Sequence, residues 1–143
     1  MPGNIKVLLV DDNPMVLDLL RQAVAPLAAV STASDGADAL LQAVQDPPDL
    51  VVTDYQMPTM DGRQLLDKLK SRPDTARVAV ILAASKTDIS ERLKPLQDSV
   101  EDFLEKPFFV KEATAHLKRV LDKIALEKLA REAPDEKVVR GSL

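Results

Sequence analysis

The chain has 143 residues, the length of a single domain, and its 45% hydrophobic content is enough to build a packed core. It lacks cysteine, which excludes disulfides, thiolate nucleophiles and cysteine-ligated metal sites, and its net charge of -4 argues against direct nucleic-acid binding. No apolar run approaches the roughly 20 residues of a membrane helix, and the N-terminal MPGNIK lacks the layout of a signal peptide, so we expect a cytoplasmic protein without membrane insertion.

Short apolar runs alternate with amphipathic stretches along the chain, which predicts five strands and five helices. The predicted strands cover residues 5–10, 29–33, 50–53, 77–82 and 100–104. The predicted helices cover residues 15–24, 36–44, 63–70, 88–97 and 110–132. Asn13 and Pro14 predict the start of the first helix, whereas Asp88 caps the fourth and Pro95 disturbs it. Strands joined by helices run parallel with helices on both faces, so the fold class is a doubly wound α/β sheet.

The last predicted helix is about 35 Å long, more than is needed to cover the sheet. Five apolar side chains form the stripe expected to pack on the core: Ala113, Leu117, Val120, Leu121 and Ile124. Apolar character continues beyond this stripe in Leu126, Leu129, Ala130 and Ala133. We therefore expect a folded domain at residues 1–125 and an extension of the helix with a flexible tail or linker at 126–143. A frayed helix end and a signalling helix remain alternatives, and the single histidine, His116, is expected on the surface.

Charged side chains follow three of the predicted strands at the sheet edge where ligands bind in open parallel sheets. Asp11 and Asp12 follow the first strand, Asp54 ends the third and Lys106 follows the fifth. Three neighbouring carboxylates repel one another unless a hard divalent cation such as Mg²⁺ binds them. A carboxylate can also carry a phosphoryl group, which makes Asp54 the candidate nucleophile and Lys106 a candidate contact for phosphoryl oxygens. Taken singly, the Asp pair is more often a helix cap, Asp54 a turn residue and Lys106 a surface lysine. Their combination at one sheet edge favours a functional site.

The pattern resembles the receiver domain of two-component response regulators, the CheY-like family. The resemblance covers roughly residues 4–125 and rests on Asp11-Asp12, on the stretch DYQMPTMDG from Asp54 to Gly62, and on Lys106-Pro107-Phe108. It implies a flavodoxin-like fold with strand order 2-1-3-4-5. It also implies a regulatory domain rather than an enzyme, with Asp54 accepting a phosphoryl group from the phosphohistidine of a sensor histidine kinase or phosphotransfer protein.

The resemblance further implies the roles of the surrounding residues. Asp12 and Asp54 would bind Mg²⁺ or Mn²⁺ directly, Asp11 would act largely through water, and the backbone carbonyl of Gln56 would complete the protein's share of the metal shell. Lys106 would pair with the phosphoryl oxygens, and its bond to Pro107 is cis in the family. The fourth helix, fifth strand and fifth helix would form the face for partner binding and homodimerisation.

The switch hydroxyl is the position at which this sequence departs from the family pattern. Ala84, or Ala83 after a one-residue shift, stands where receivers carry a switch hydroxyl, and Ser85 is adjacent. Phe103 matches the switch aromatic but lacks the hydroxyl of a tyrosine. We therefore expect Mg²⁺-dependent phosphorylation with altered conformational coupling. The alternative is a pseudo-receiver that docks proteins independently of phosphorylation; an aspartyl phosphatase would need a second aspartate at position 56, which is Gln56.

Overall fold

The computed structural model describes residues 5–132 as five parallel strands that alternate with five helices. The strands are β1 (Lys6–Val10), β2 (Ala29–Ala33), β3 (Leu50–Asp54), β4 (Ala79–Ser85) and β5 (Asp102–Lys106). The helices are α1 (Pro14–Val24), α2 (Gly36–Gln45), α3 (Gly62–Lys70), α4 (Lys86–Glu91) and α5 (Val110–Glu132). In this part of the chain, no helix combines the length and hydropathy that a membrane crossing requires.

The sheet has the order β2-β1-β3-β4-β5, which confirms the predicted doubly wound topology. Both faces of the sheet are covered. The helices α1 and α5 pack on one face, around Leu9, Val52 and Leu117, while α2 and α3 pack on the other, around Leu8 and Leu66. Because β3 is central, all five of its residues are buried, and this explains the apolar run Leu50–Val52 that precedes Thr53 and Asp54.

Local capping fixes where three helices begin, close to the carboxyl ends of the strands. The Asn13 Oδ1 atom accepts the Met15 N–H at the start of α1, and Pro14 occupies the first helical turn. Asp35 caps α2. Asp61 forms a reciprocal capping box with Gln64 at the start of α3. These caps hold the loops above the sheet in defined positions.

The fourth helix differs from the prediction of residues 88–97 with Asp88 as its cap. Ser85 is the cap instead, because its Oγ atom accepts the Asp88 N–H at 3.1 Å, and α4 ends at Glu91. Pro95 lies in a separate 3-10 turn, Lys94–Leu96, where its missing N–H breaks no helical hydrogen bond. The neighbouring strands also shift toward the site edge, since β4 runs to Ser85 and β5 to Lys106.

The long last helix has the predicted bounds. Its five predicted core residues, Ala113, Leu117, Val120, Leu121 and Ile124, are all buried. Leu126 and Leu129 are 68% and 60% exposed, so the apolar extension lies on the surface. The predicted boundary between residues 125 and 126 falls inside α5 and stays a prediction, whereas Ala133 and the tail at 133–143 lie outside the described residues.

Candidate functional site

The carboxyl ends of three strands bring one lysine and two buried carboxylates into contact. Asp11 directly follows β1, Asp54 ends β3 and Lys106 ends β5. The Lys106 Nζ atom lies 3.1 Å from Asp11 Oδ2 and 3.3 Å from Asp54 Oδ1. Asp11 and Asp54 are only 1% and 8% exposed. The ammonium group therefore bridges two carboxylates that the fold removes from most of the solvent.

A third carboxylate completes the cluster on its open side. Carboxylate oxygens of Asp11, Asp12 and Asp54 lie within 4.8 Å of one another, and Asp12 is exposed. Hard divalent cations such as Mg²⁺ prefer oxygen ligands and retain several waters, so two buried donors and one solvent-facing donor suit them. The donor set fits a divalent cation.

Asp11 is held in place by three of its own contacts. Its Oδ1 atom accepts the Asn13 N–H at 2.9 Å, and its Oδ2 atom accepts a hydrogen bond from Lys106. Its backbone N–H donates to the Ala33 carbonyl at 3.2 Å, which extends the pairing of β1 with β2 by one residue. The Asp11 carboxylate is therefore fixed in position, and it holds the ammonium group of Lys106 in place.

The environment raises the pKa of Asp54 from 3.8 to about 6. Burial is the largest cause, the negative charges of Asp11 and Asp12 add to it, and Lys106 opposes it. The pKa of Lys106 is raised although burial alone lowers it, because the hydrogen bond to Asp11 and the attraction of Asp54 outweigh burial. Near neutral pH the site thus combines a permanent ammonium group with an ionised, poorly solvated carboxylate.

Glycines fix the loop that follows Asp54. The Tyr55 N–H donates to the Ala83 carbonyl and the Gly62 N–H donates to the Tyr55 carbonyl, both at 2.8 Å. A Cβ atom on Gly62 would lie 2.4 Å from the backbone oxygen of Asp54, and one on Gly36 would lie 2.6 Å from that of Met60. The sequence alone did not predict these close approaches. The Asp61-Gly62 pair was the available signal, because Asp and Gly are typical of tight turns.

The sequence of this chain matches a known protein family over most of its length. Residues 7–118 match the family model described as the response regulator receiver domain. The chain belongs to that family. It is a receiver domain of the two-component systems, and the acidic cluster of Asp11, Asp12 and Asp54 lies where this family binds Mg²⁺.

The relatives of this receiver domain are longer proteins, and the chain matches only a part of each. It is 36% identical over 132 residues to the sensor histidine kinase TmoS of Ectopseudomonas mendocina, covering 92% of this chain and 14% of TmoS. It is 33% identical to the response regulator MprA of Mycobacterium ulcerans (strain Agy99), covering 87% of this chain and 53% of MprA. The chain therefore spans a seventh to about half of these proteins.

Solved structures with the same fold include two that are 28% identical to this receiver domain. The receiver domain of a signal transduction histidine kinase from Syntrophus aciditrophicus has a TM-score of 0.72, with 82% of this chain and 90% of that one covered. A response regulator from Desulfuromonas acetoxidans has a TM-score of 0.71, with 82% and 97% covered.

The positions that the resemblance associates with switching contribute no hydroxyl from the strand interior. Ala84 is buried in the cluster on the α2–α3 face, and the half-buried Phe103 packs against the same cluster. Ser85 is exposed at the end of β4 and uses its hydroxyl to cap α4. Gln56 is exposed in the loop after Asp54. The Lys106–Pro107 peptide bond is cis.

A polar cluster between β5 and α5 was not foreseen from the sequence. The His116 Nδ1 atom lies 2.7 Å from Asp102 Oδ2, and Arg119 Nη2 donates to the same oxygen at 2.6 Å. The half-buried His116 therefore ties the last helix to the edge strand rather than facing water alone. Its spacing of three residues from Arg119 was the available signal, because such residues share a helix face.

Proposed function

We propose that Asp54 accepts a phosphoryl group from the phosphohistidine of a sensor histidine kinase or phosphotransfer protein, in a reaction that depends on Mg²⁺ or Mn²⁺. The observation that carries the proposal is the contact of Lys106 with Asp11 and Asp54 at 3.1 and 3.3 Å, beside the exposed Asp12. This arrangement supplies an oxygen nucleophile, a fixed positive charge and a set of hard-cation donors in one place.

In the proposed transfer, a carboxylate oxygen of Asp54 attacks the phosphorus atom. A new oxygen–phosphorus bond forms, the phosphorus–nitrogen bond to the imidazole breaks, and its electron pair stays on the ring nitrogen. The nucleophile must be ionised, and a pKa of about 6 leaves Asp54 mostly ionised at neutral pH. Burial leaves it poorly solvated, so little water must be displaced before the attack.

The neighbouring residues position charge around the transferred group. Lys106 is held by Asp11 and faces Asp54, so its ammonium group is placed to contact phosphoryl oxygens. In the proposal, Asp12, Asp54 and the backbone carbonyl of Gln56 would hold the cation, and Asp11 would act on it through water. The bound cation supplies positive charge that offsets repulsion between the carboxylates and the phosphoryl oxygens.

Exposed apolar side chains next to the site support docking of a protein rather than a small phosphodonor alone. Met15 lies in the first turn of α1 on one side, Phe109 lies three residues after Lys106 on the other, and both are largely exposed. Large exposed apolar residues of this kind are enriched at protein interfaces. Names of relatives such as sensor histidine kinase TmoS and response regulator MprA also favour a kinase as the donor.

The proposed output is altered binding of a partner or of a second copy through α4, β5 and α5, with coupling changed by Ala84. A second candidate, phosphorylation-independent docking, is favoured by one observation: Ala84 is buried and offers no hydroxyl to a phosphoryl group on Asp54. In both cases the chain is a regulatory domain of the cytoplasm and not an enzyme acting on a separate substrate.

Titration with beryllofluoride and Mg²⁺ by calorimetry separates the two candidates, because beryllofluoride mimics a phosphoryl group on a carboxylate. We expect binding by the unaltered chain, none by Asp54→Asn, and unchanged binding by Asp35→Asn, a control that keeps an effective helix cap on α2. Absence of Mg²⁺-dependent binding to the unaltered chain would eliminate the phosphoacceptor proposal and leave the docking module.

A further inference from the structure

We propose that Gly36, the first residue of α2, makes the cation site select Mg²⁺ over Ca²⁺ by fixing the loop that carries the backbone carbonyl of Gln56. This loop covers residues 55–61, between β3 and α3. The inference rests on the cation site of the proposed function, and it does not depend on phosphoryl transfer to Asp54. Gly36 supplies no ligand and is a positioning residue that acts through the backbone of Met60, which lies in the same loop as Gln56.

The backbone at Gly36 does not itself require a glycine. Its φ is not positive, so an alanine could adopt the same conformation. Asp35 caps α2 directly before it, and alanine is a far better helix former than glycine. Gly36 is nevertheless buried, so the reason for a glycine lies in the atoms that pack against it.

The atoms that pack against Gly36 belong to Met60. A Cβ atom at position 36 would lie 2.6 Å from the Met60 backbone oxygen and 2.9 Å from the Met60 Cβ atom. Ordinary van der Waals contact begins at 3.4 Å, so the helix and the loop would have to move apart. Because the nearest atom is in the main chain, a change of the Met60 rotamer would not relieve the contact. A side chain at position 36 would therefore displace the backbone of the loop.

The hydrogen bonds of the loop pass such a displacement on toward Gln56. The two ends of the loop are closed, since the Gly62 N–H donates to the Tyr55 carbonyl at 2.8 Å. The tip is a tight turn in which the Met60 N–H donates to the Pro58 carbonyl, also at 2.8 Å. A shift of Met60 therefore moves Pro58 with it, and Pro58 lies two residues from Gln56.

The first turn of α2 is itself fixed relative to the acidic cluster. The Ala33 carbonyl, at the end of β2, accepts the Asp11 N–H at 3.2 Å, and Gly36 follows three residues later. The Asp35 side chain caps the helix and holds its first turn. The contact between α2 and the loop therefore sets the distance from the loop to the side of the site that carries Asp11.

This distance matters more for Mg²⁺ than for Ca²⁺. Mg²⁺ requires near-ideal octahedral geometry with oxygens at about 2.0–2.1 Å, whereas Ca²⁺ accepts about six to eight oxygens at about 2.3–2.6 Å in flexible geometry. Opening the contact at position 36 from 2.6 Å to 3.4 Å is a larger change than the difference of about 0.4 Å between these two ranges. A displaced loop should therefore bind Mg²⁺ poorly and still bind Ca²⁺.

Calorimetric titration of the full chain with Mg²⁺ and, separately, with Ca²⁺ tests the proposal. We expect Gly36→Ala to weaken Mg²⁺ binding about tenfold, the scale typical of residues that orient metal ligands, and to change Ca²⁺ binding less than about twofold. The double variant Gly36→Ala/Met60→Ala should bind Mg²⁺ as weakly, because the backbone oxygen remains. The matched control is Ala37→Leu, which adds bulk at an exposed position of the same helical turn and should leave both affinities unchanged.

Asp35→Ala gives a second test that adds no bulk, so it does not depend on whether Gly36→Ala folds. Loss of the cap loosens the first turn of α2, and Mg²⁺ binding should weaken more than Ca²⁺ binding. Asp35→Asn keeps an effective cap and should bind both ions like the unaltered chain. Circular dichroism in a chelator establishes that each variant is folded.

The outcomes separate this inference from the proposed function. Equal Mg²⁺ affinity of Gly36→Ala and the unaltered chain would overturn the inference and leave the proposed cation site in place. Equal losses of Mg²⁺ and Ca²⁺ affinity would also overturn it, because they would indicate general damage to the site instead of altered selectivity. An unaltered chain that binds no Mg²⁺ would refute the proposed cation site and the inference together.

Discussion

Replacing Asp54 with asparagine should stabilise the metal-free protein. Burial and the charge of Asp11 raise the pKa of the Asp54 carboxyl from 3.8 to about 6, so its ionised form is disfavoured in the folded state. A change of that size corresponds to about 3 kcal/mol at neutral pH. Because the site opens to water at the sheet edge, we expect a discounted gain of about 1–2 kcal/mol in the free energy of unfolding. The Asp11–Lys106 contact at 3.1 Å remains in the variant, so no buried charge loses its partner.

The sign of the pH dependence follows from the direction of the shift. A carboxyl whose pKa is higher in the folded state favours folding when it is protonated, and that contribution is lost as pH rises through the folded-state pKa. The advantage of Asp54→Asn should therefore be small below pH 3.8, grow between pH 3.8 and about 6, and stay constant above. Mg²⁺ should reverse the order, because the unaltered chain gains binding free energy in the folded state and the asparagine variant loses a ligand.

Urea unfolding in the presence of a chelator measures both effects. The two proteins are compared at about pH 4 and about pH 7.5, with Asp35→Asn as the control that removes a carboxylate outside the cluster. The reasoning is refuted if Asp54→Asn is no more stable than the unaltered chain at the higher pH. It is also refuted if the gain is equally large at both pH values, because a repulsion that does not titrate cannot come from this carboxyl.

Substitutions at three further positions test the site. Lys106→Met should lower the metal-free stability by about 3 kcal/mol, because two buried carboxylates lose their cation, and should slow phosphorylation by acetyl phosphate; Lys106→Arg should retain most of the stability in the same urea titration. Ala84→Thr should enlarge the NMR shift changes that beryllofluoride causes in α4 and β5. Ala84→Val, which has the shape of threonine without its hydroxyl, should not. Each substitution is expected to lower the free energy of unfolding by about 1–3 kcal/mol through overpacking. Gly62→Ala should lower the thermal midpoint and weaken Mg²⁺ binding, because its Cβ would lie 2.4 Å from the Asp54 backbone oxygen; unchanged midpoint and affinity would contradict that contact.

Local sequence signals were sufficient for most of the fold. Apolar periodicity predicted the five strands and four of the five helices, because buried positions recur along a strand or a helix at a fixed spacing. The start of α1 followed from Asn13 and Pro14, whose effects act within one helical turn. The length of α5 followed in the same way from its uninterrupted pattern up to Glu132.

The fourth helix shows where local signals compete. Asp88 and Ser85 are both acceptable helix caps, and the sequence does not rank them. The pairing of Ser85 with Lys106 extends β4 to that residue, so the helix begins directly afterward and Ser85 is the cap. None of the six residues of α4 is buried, so no apolar stripe marked its true bounds.

The sequence by itself determined the order of the strands and helices and placed Asp11, Asp54 and Lys106 near strand ends, because strand and helix periodicity are local properties; β4 and β5 nevertheless end three and two residues later than predicted. Only the tertiary structure decided that Lys106 meets Asp11 across 95 residues of chain, that burial raises the pKa of Asp54, and that Gly62 and Gly36 must lack side chains. Distances of this kind depend on how parallel strands are ordered and how their loops pack together.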